Sequence, residues 1–472
     1  MHGPAPAPRP GLQGPLAAEI ANAVRLLRRG AVLVIGDAML DRYVYGKVER
    51  VSPEAPVPVL SVEREVALPG GAGNVVRNLT ALGGAVAFVS VVGDDQAGSD
   101  LTGLIGGQPG VEPWLLVQGG RATTTKTRFI ASGQQLLRAD HEQALPIHPR
   151  LAERLVRIAA DAVAATAVMV LSDYRKGVLA GDTPARLIAA ARTAGRKVLV
   201  DPKGGEHARY AGADLFMPDL AELAEATGQP VGTEEEIAAA AIALRAAYGF
   251  GAVLVIRGQD GVTLVSDEGA GETVSHFPSH IAEVVDPAGA GDAVVAVAAA
   301  ATAAGLPIGI VARLGALAAG IAMGKTGIAV VREDEFLEVL TPGRLASRKI
   351  ATRAEAAERV ERWRRSGCRV GFLAGDRTTA ADIIVQARSW CDRLVIALSD
   401  TDPEAGRLAE LAGVDLVARF GGDTPADLIR LLRPDVLVQA PDPATNGSRE
   451  SDLVQEWGGT VRRPGPLPAG GG

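Results

Sequence analysis

The sequence predicts an α/β protein with two domains: a larger three-layer α/β/α domain that carries a small β-lid, and a smaller α/β domain after it. Three observations support this prediction. Apolar, β-branched runs alternate with helical segments, which is typical of parallel sheets. Glycine-rich turns join predicted strands to predicted helices. The chain of 472 residues is also long enough for two or three separate cores.

Composition excludes several classes of protein. Apolar residues make up 47% and charged residues 22%, which is normal for a globular chain. The net charge of −7 argues against a nucleic-acid binder. The sequence has no run of eighteen apolar residues, so no membrane span is predicted. It has only two cysteines, which are too few for a disulfide framework. We therefore expect a cytoplasmic protein that binds neither nucleic acid nor membrane.

One strand-to-helix turn is best suited to catalysis. A predicted strand ends at Val285, and Gly289 and Gly291 allow a tight turn into a small-residue helix headed by Asp292. A helix N-terminus can hold a phosphoryl group beside a carboxylate that deprotonates a hydroxyl. The alternative is an ordinary turn in which Asp292 only complements the helix dipole.

A second group of polar residues lies near the start of the chain. Asp41 follows the predicted strand at residues 31–35, at the carboxyl end where open α/β sheets bind ligands; the alternative is a plain turn residue. Residues 42–68 then mix strand formers with three prolines. Prolines are excluded from central strands, so we expect a short β-lid that stands off the main sheet.

Two further segments point to ligand contacts. Residues 69–74 (PGGAGN) open a helix with Asn74 on its first turn, but Val76 breaks the dinucleotide pattern G-x-G-x-x-G. Lys126, Arg128 and Arg138 lie in an extended segment at residues 124–140, which is either an anion-facing edge or a solvated one. Residues 320–326 imitate a P-loop but lack its first glycine and its preceding strand, so a P-loop is excluded.

Three of these motifs together resemble the ribokinase-like (PfkB-type) carbohydrate kinases. They are residues 286–292 (DPAGAGD), residues 70–74 (GGAGN) and the segment from Gly36 to Asp41, within a resemblance that covers about residues 30–335. Residues 41–46, 52–58, 134–138 and 171–177 look more narrowly like the D-glycero-β-D-manno-heptose 7-phosphate kinases, which form the kinase half of bifunctional heptose kinase/adenylyltransferases.

The resemblance implies a ribokinase-like fold, ATP and Mg²⁺ as cofactors, and a homodimer formed through the lid. The implied catalytic residues are Asp292 as general base with Gly289, Ala290 and Gly291 as the anion hole. The implied substrate-binding residues are Asp41, Gly71, Asn74, Lys126, Arg128 and Arg138. The implied nucleotide-binding residues are Lys203, Asp219, Glu222, Arg257, Gly258 and Gly261, with Glu222 also the implied metal ligand. Two positions depart from the family pattern, because Asp219 and Ala316 stand where asparagines are usual.

The second domain is similar to the adenylyltransferase half of the same enzymes, a Rossmann-like nucleotidyltransferase-type fold. Thr352 and Glu355 form a capping-box pattern that opens its first helix. The family's His-x-Gly-His motif is missing, because Arg377 and Ala380 occupy the histidine positions. We therefore predict a retained fold without adenylyl transfer.

These interpretations give the following domain plan. We predict a disordered tail and a short helix over residues 1–28, the kinase domain over 29–340 with its lid at about 42–68, a linker over 341–350, the degenerate adenylyltransferase-like domain over 351–463, and a tail over 464–472. The expected activity is ATP-dependent phosphorylation of the anomeric hydroxyl of D-glycero-D-manno-heptose 7-phosphate to the 1,7-bisphosphate. Alternatives are a kinase of another sugar or sugar phosphate, or a non-catalytic sugar-phosphate binding or assembly protein.

Overall fold

The computed structural model divides the chain into two compact units, residues 1–340 and residues 341–472. It describes residues 15–131, 134–204, 206–267, 271–280, 284–325, 327–340, 349–365, 368–374, 381–400, 402–411, 413–421, 425–439 and 449–464.

The first unit is built on a nine-stranded sheet and a separate four-stranded sheet. Its strands are β1 Ala31–Gly36, β2 Ala38–Val51, β3 Pro58–Gly71, β4 Ala85–Gly93, β5 Val111–Gln118, β6 Thr125–Ala131, β7 Gln134–His141, β8 Val168–Ser172, β9 Lys197–Asp201, β10 Leu215–Phe216, β11 Ala252–Ile256, β12 Val262–Asp267 and β13 Glu272–Phe277. The large sheet has the order β13-β12-β11-β10-β9-β8-β1-β4-β5, and it is parallel except where β12 pairs with β11 and β13.

Helices cover both faces of the large sheet. They are α1 Pro15–Leu26, α2 Ala72–Ala81, α3 Gln96–Gly106, α4 Pro149–Val163, α5 Thr183–Thr193, α6 Leu220–Thr227, α7 Glu234–Tyr248, α8 Ala290–Ala303, α9 Ile308–Met323 and α10 Glu333–Leu340. Because strand side chains alternate between faces, Val32 and Val34 join the core beneath α8 and α9, while Leu33 and Ile35 join the core beneath α4 and α5. The predicted three-layer ribokinase-like α/β fold is confirmed.

The lid is larger than the sequence predicts. The expected segment at residues 42–68 provides only β2 and β3, and the four-stranded sheet has the order β3-β2-β6-β7. Strand β6 pairs in parallel with β2, with Lys126 opposite Asp41 and Arg128 opposite Tyr43. A two-stranded flap is marginal on its own, and β6 and β7 complete it. This pairing joins segments far apart in the chain, so local patterns could not reveal it.

The second unit has a six-stranded parallel sheet. Its elements are β14 Ile350–Ala351, α11 Arg353–Arg365, β15 Val370–Ala374, α12 Ala381–Arg388, β16 Arg393–Ser399, α13 Ala405–Glu410, β17 Leu416–Phe420, α14 Ala426–Leu432, β18 Val436–Val438, α15 Arg449–Glu456 and β19 Thr460–Arg462. The order β14-β17-β16-β15-β18-β19 contains the doubly wound Rossmann arrangement. The capping box is also confirmed, because Thr352 N–H donates to Glu355 Oε2 at 2.9 Å and Glu355 N–H donates to Thr352 Oγ1 at 3.4 Å.

Several predicted boundaries fall at or beyond the edge of the described residues. Residues 1–14 of the predicted N-terminal tail lie outside them, as do residues 465–472 of the tail predicted over 464–472 and residues 341–348 of the predicted linker. The predicted linker ends at residue 350, but Ile350 already pairs with Val417 as part of β14. Within the described part of the chain, no helix has both the length and the apolar character needed to cross a bilayer.

Candidate functional site

The candidate site lies where the large sheet reverses its strand order. Strands β1 and β8 are neighbours there. After β1 the next strand of the sheet, β4, lies on one side, and after β8 the next strand, β9, lies on the other. The carboxyl ends of such a pair form the crevice where α/β proteins bind ligands. Asp37 follows β1 and Tyr174 lies just after β8, so both residues stand at this crevice.

Asp292 lies in the first turn of α8, as predicted. The predicted strand ending at Val285 is wrong, because Val284 and Val285 belong to no strand and Val285 N–H donates to the Met323 carbonyl oxygen of α9 at 2.8 Å. Gly289 caps the helix with φ of 79°, and a Cβ there would lie 3.0 Å from both Asn74 Nδ2 and Ile328 Cγ2. Glycine therefore fits this left-handed, crowded position. A Cβ on Gly291 would meet nothing within 4 Å, so the space over the helix N-terminus is open on that side. The first-turn N–H groups have no acceptor within the helix and can bind an anion. Ala290 N–H also donates to the Pro287 carbonyl oxygen at 3.3 Å, a long bond that precedes the helix.

Both carboxylate oxygens of Asp292 accept hydrogen bonds. Asn74 Nδ2 donates to Oδ2 at 2.7 Å, and the Tyr174 hydroxyl donates to Oδ1. Burial raises the pKa of the Asp292 carboxyl, while the two hydrogen bonds and the charge of Lys203 oppose that rise. The carboxylate is thus shielded from water and held in one orientation, which suits a general base.

Asp41 is buried and lies at the base of the lid. Arg128 NH1 donates to its Oδ1 at 2.5 Å. This bond joins two residues predicted to bind the substrate, Arg128 on β6 and Asp41 on β2. Gly71 has φ of 56°, and a Cβ there would lie 2.7 Å from the Asp37 carbonyl oxygen. The predicted residues Asp41, Gly71 and Asn74 therefore lie on adjoining elements around Asp292 and its helix N-terminus.

Lys126 and Arg138 contact carboxylates at the end of β7 and just after it. Lys126 Nζ lies 2.9 Å from Asp140 Oδ2 and 3.5 Å from Glu142 Oε2, and Arg138 Nε lies 3.0 Å from Asp140 Oδ1. Lys176, which the sequence did not single out, lies 2.8 Å from Glu142. The side chain of Lys126 is 19% exposed and that of Arg138 is 51% exposed, so the edge is largely covered at Lys126 and half solvated at Arg138.

Lys203, Asp219 and Glu222 form one cluster. Lys203 Nζ lies 2.5 Å from Glu222 Oε1 and 3.8 Å from Asp219 Oδ2. Burial lowers the pKa of the Lys203 ammonium, but the carboxylates of Asp201 and Glu222 outweigh burial and raise it. Asp219 caps α6, since Glu222 N–H donates to its Oδ1 at 2.8 Å and Asp219 N–H donates to Glu222 Oε2 at 2.8 Å. An asparagine oxygen would accept the same bond, so aspartate at this position preserves the cap.

Arg257, Gly258 and Gly261 form the turn after β11. Arg257 is buried and lies 2.7 Å from Glu234 Oε1, and it also donates to the Asp260 carbonyl oxygen at 3.1 Å. A Cβ on Gly261 would lie 2.0 Å from the Phe277 carbonyl oxygen, while one on Gly258 would meet open space. Arg257 thus stabilises the turn, and Gly258 leaves its surface open to a ligand.

The sequence did not predict a role for Tyr174 or Asp201. Tyr174 lies two residues after β8 and Asp201 is the last residue of β9, and this place at the carboxyl end of a parallel strand is the signal that could have identified them. Ser172 Oγ donates to Asp201 Oδ2 at 3.1 Å. Burial and the nearby Asp292 charge raise the pKa of the Asp201 carboxyl to about 7, against the opposing charge of Lys203.

Two other predicted features lie apart from this cluster or outside the described residues. Ala316 is 1% exposed on α9 and packs in the apolar core. In the second unit, the strand-order reversal falls between β15 and β18. Residues 375–380, which contain Arg377 and Ala380, follow β15 and lie outside the described residues.

Comparison with known proteins agrees with this geometry. Residues 30–334 match the pfkB family of carbohydrate kinases. The bifunctional protein HldE of Acidiphilium cryptum is 53% identical over 473 residues, which cover 95% of this chain and 96% of that protein. HldE of Rhodospirillum rubrum is 45% identical over 464 residues, which cover 94% of this chain and 93% of that protein.

Solved structures show the same fold. Arabidopsis thaliana ribokinase, complexed with ribose and ATP, covers 66% of this chain and 98% of its own, with a TM-score of 0.52 and 23% identity. Escherichia coli phosphofructokinase-2, in complex with potassium, covers 66% of this chain and 99% of its own, with a TM-score of 0.53 and 19% identity. The chain therefore belongs to the pfkB family of carbohydrate kinases and, over nearly its whole length, to the HldE proteins.

Proposed function

We propose that the protein transfers the γ-phosphoryl group of ATP to the C1 hydroxyl of D-glycero-D-manno-heptose 7-phosphate, giving the 1,7-bisphosphate and ADP. The observation that carries this proposal is the Asp292 carboxylate, held by Asn74 and Tyr174 at the open N-terminus of α8. Residues 41–46, 52–58, 134–138 and 171–177 support the heptose substrate, because they resemble the heptose 7-phosphate kinases.

In the proposed reaction Asp292 takes the proton of the C1 hydroxyl. The C1 oxygen then forms a bond to the γ-phosphorus, and the bond from that phosphorus to the bridging oxygen of ADP breaks. Negative charge grows on the transferring group, and the N–H groups of Gly289, Ala290 and Gly291 stabilise it there. A positioned base contributes roughly 10²–10⁴-fold to such a step.

We assign the sugar end of the substrate to Asp41, Gly71 and Asn74, and its distal phosphate to the cations at the base of the lid. Lys126 and Lys176 come from different elements yet both lie against Glu142, so together they form a site for one anion. In the complex the 7-phosphate takes the place of that carboxylate. Arg128 and Arg138 border the same part of the lid through the pairing of β6 with β7.

The nucleotide is assigned to Lys203, Asp219, Glu222, Arg257, Gly258 and Gly261. Ribokinase-like kinases use ATP and a divalent metal, and we propose that the metal is Mg²⁺, which shields the charge of the phosphates. One carboxylate oxygen of Glu222 accepts a hydrogen bond from Lys203 Nζ, and the other accepts one from the Asp219 N–H. Since both are engaged, Glu222 fits a metal site through metal-bound water, in keeping with the several waters that Mg²⁺ retains.

We also propose that the lid pairs with a second copy of the chain. Residues of β2 alternate between two faces, so Asp41 and Tyr43 lie on one face, and Val44 and Val48 lie on the other. Register places Leu137 and Val62 on the same face as Val44. Val48, Val62 and Leu137 are 38%, 52% and 59% exposed. This face, directed away from Asp41, also carries the exposed Glu65 opposite Val44. Its exposed apolar side chains are suited to burial against a partner.

The second domain is proposed to be catalytically silent, so that the protein performs only the kinase step. The proposal depends on Arg377 and Ala380 standing at the histidine positions, since losing one preorganised donor costs about 10²–10³ in rate. A separate adenylyltransferase would then complete any nucleotide-activated heptose. A cytoplasmic location follows from this function, because ATP and sugar phosphates are cytoplasmic metabolites.

The deciding experiment measures ADP release over a panel of sugars, hexose phosphates and heptose 7-phosphates. We expect kcat/KM for heptose 7-phosphate to exceed that of every other acceptor by at least about a hundredfold, or about 2.7 kcal/mol of discrimination. A hexose phosphate turned over equally well would contradict the assignment of substrate. The absence of ADP release with every acceptor would contradict kinase activity itself.

A further inference from the structure

Tyr174 contacts the proposed base directly, yet sequence and family resemblance give it no role. Its hydroxyl donates to Asp292 Oδ1, while Asn74 donates to Oδ2 from the other side. A carboxylate can accept about two hydrogen bonds on each oxygen. One donor on each oxygen therefore fixes the carboxylate plane and still leaves room for the substrate hydroxyl.

The loop that carries Tyr174 is held by a second buried carboxylate. Asp37 Oδ2 accepts the N–H groups of Tyr174 and Lys176, both at 2.9 Å, and Asp37 Oδ1 accepts that of Val178 at 3.0 Å. Arg175 within the loop has φ of 56°. A non-glycine residue in this left-handed region is strained, so the surrounding contacts must impose the conformation. The direction of the Tyr174 side chain is therefore built into the loop.

We propose that Tyr174 is a positioning residue for phosphoryl transfer, whose hydroxyl holds the Asp292 carboxylate in its reactive orientation. The inference rests on the proposed role of Asp292 as general base. Tyr174 acts only as a donor, because burial and the Asp292 charge raise its pKa well above the ordinary value and keep the hydroxyl protonated. Its hydrogen bond favours the ionised form of Asp292, which is the form that takes a proton.

Other charges also face Asp292 and must be distinguished from Tyr174. Lys203 and Asp201 approach from the end of β9, Asp41 from the lid and Arg77 from α2. Replacing Tyr174 with phenylalanine leaves all of these in place. It also keeps the ring and the backbone contacts to Asp37, so the fold is retained and only one donor is lost.

The test is the pH dependence of kinase turnover in Tyr174→Phe. We expect kcat to fall about tenfold and the acid limb of kcat/KM to move to higher pH by about one unit, since the lost hydrogen bond favours the ionised carboxylate. The KM for ATP should not change. Tyr210→Phe is the matched control, because the Tyr210 hydroxyl also donates to a buried aspartate, Asp173, but not to Asp292.

The outcomes separate this inference from the proposed function. If Tyr174→Phe loses thermal stability to the same extent as Tyr210→Phe but keeps the wild-type acid limb, Tyr174 is structural and the inference is overturned. If Asp292→Asn keeps wild-type turnover, Asp292 is not the base and the proposed mechanism fails first. An inactive Asp292→Asn together with a shifted acid limb in Tyr174→Phe, absent from Tyr210→Phe, supports both.

Discussion

Gly70 and Asp41 occupy the same small space at the base of the lid. A Cβ on Gly70 would lie 1.7 Å from Asp41 Oδ2, so any larger residue must displace the carboxylate that Arg128 holds. Glycine is therefore required at position 70 because the Asp41 side chain of the neighbouring strand β2 fills the space that a Cβ would occupy. This relationship gives the first prediction.

Gly70→Ala should weaken sugar binding and spare ATP binding. The added methyl group forces Asp41 away from Arg128, so we expect the KM for the sugar substrate to rise at least about tenfold, a loss of about 1.4 kcal/mol. Steady-state kinetics with each substrate varied in turn measure this. Gly103→Ala is the control, because a Cβ at that position on α3 meets nothing within 4 Å. An unchanged sugar KM in Gly70→Ala would show that Asp41 does not bind the sugar.

Asp292→Asn should abolish turnover without loss of fold. The amide keeps the shape of the carboxylate but cannot take a proton, and we expect kcat to fall about 10²–10⁴-fold. Coupled ADP release gives kcat, and calorimetry gives the affinity for ATP, which should stay within about twofold. Retention of more than about a tenth of wild-type kcat would exclude Asp292 as the base.

Asp201→Asn should stabilise the protein, and more so at high pH. The folded pKa of about 7 lies above the usual value near 4, so between these two values the folded state binds more protons and the contribution of Asp201 to stability falls as pH rises. We expect the difference in Tm between the variant and the wild-type protein to grow by about 2–4 °C as the pH rises from 5 to 8. Asp161→Asn, on the exposed face of α4, is the control and should show no such trend. An equal Tm difference at both pH values would contradict the prediction.

The double variant Val62→Glu with Leu137→Glu should be monomeric where the wild-type protein is dimeric. Burying two carboxylates in an apolar contact is strongly unfavourable, so the lid faces can no longer pair. Light scattering at micromolar concentration reports the mass. Val117→Glu, at a 58% exposed site on β5 outside the lid, should remain a dimer. A monomeric wild-type protein, or a dimeric double variant, would refute pairing through the lid.

The second domain should make no nucleotide sugar. Given heptose 1-phosphate, ATP and Mg²⁺, the purified protein is expected to release no pyrophosphate and form no ADP-heptose, because Arg377 and Ala380 replace the histidines. Chromatography and a pyrophosphate assay provide the measurement, with one of the bifunctional relatives assayed in parallel as the positive control. Product formed near 1 s⁻¹, a common enzyme rate, would show that the domain is active.

The sequence by itself determined the elements whose causes are local. The glycines at residues 289 and 291 predict the turn into α8, and Asp292 is confirmed in its first turn. Capping residues and apolar periodicity likewise predict α11 and the alternating strands and helices of both units. These features depend on backbone conformation and on neighbours a few residues apart, so residue order alone specifies them.

Only the tertiary structure decided which distant side chains meet. The contacts of Asp292 with Asn74 and Tyr174 span 218 and 118 residues, and Arg128 reaches Asp41 across 87. The parallel pairing of β2 with β6, which doubles the lid, is equally remote in sequence. Such partners are chosen by packing of the whole sheet and by the need of buried charges for donors, neither of which leaves a periodic signal in the chain.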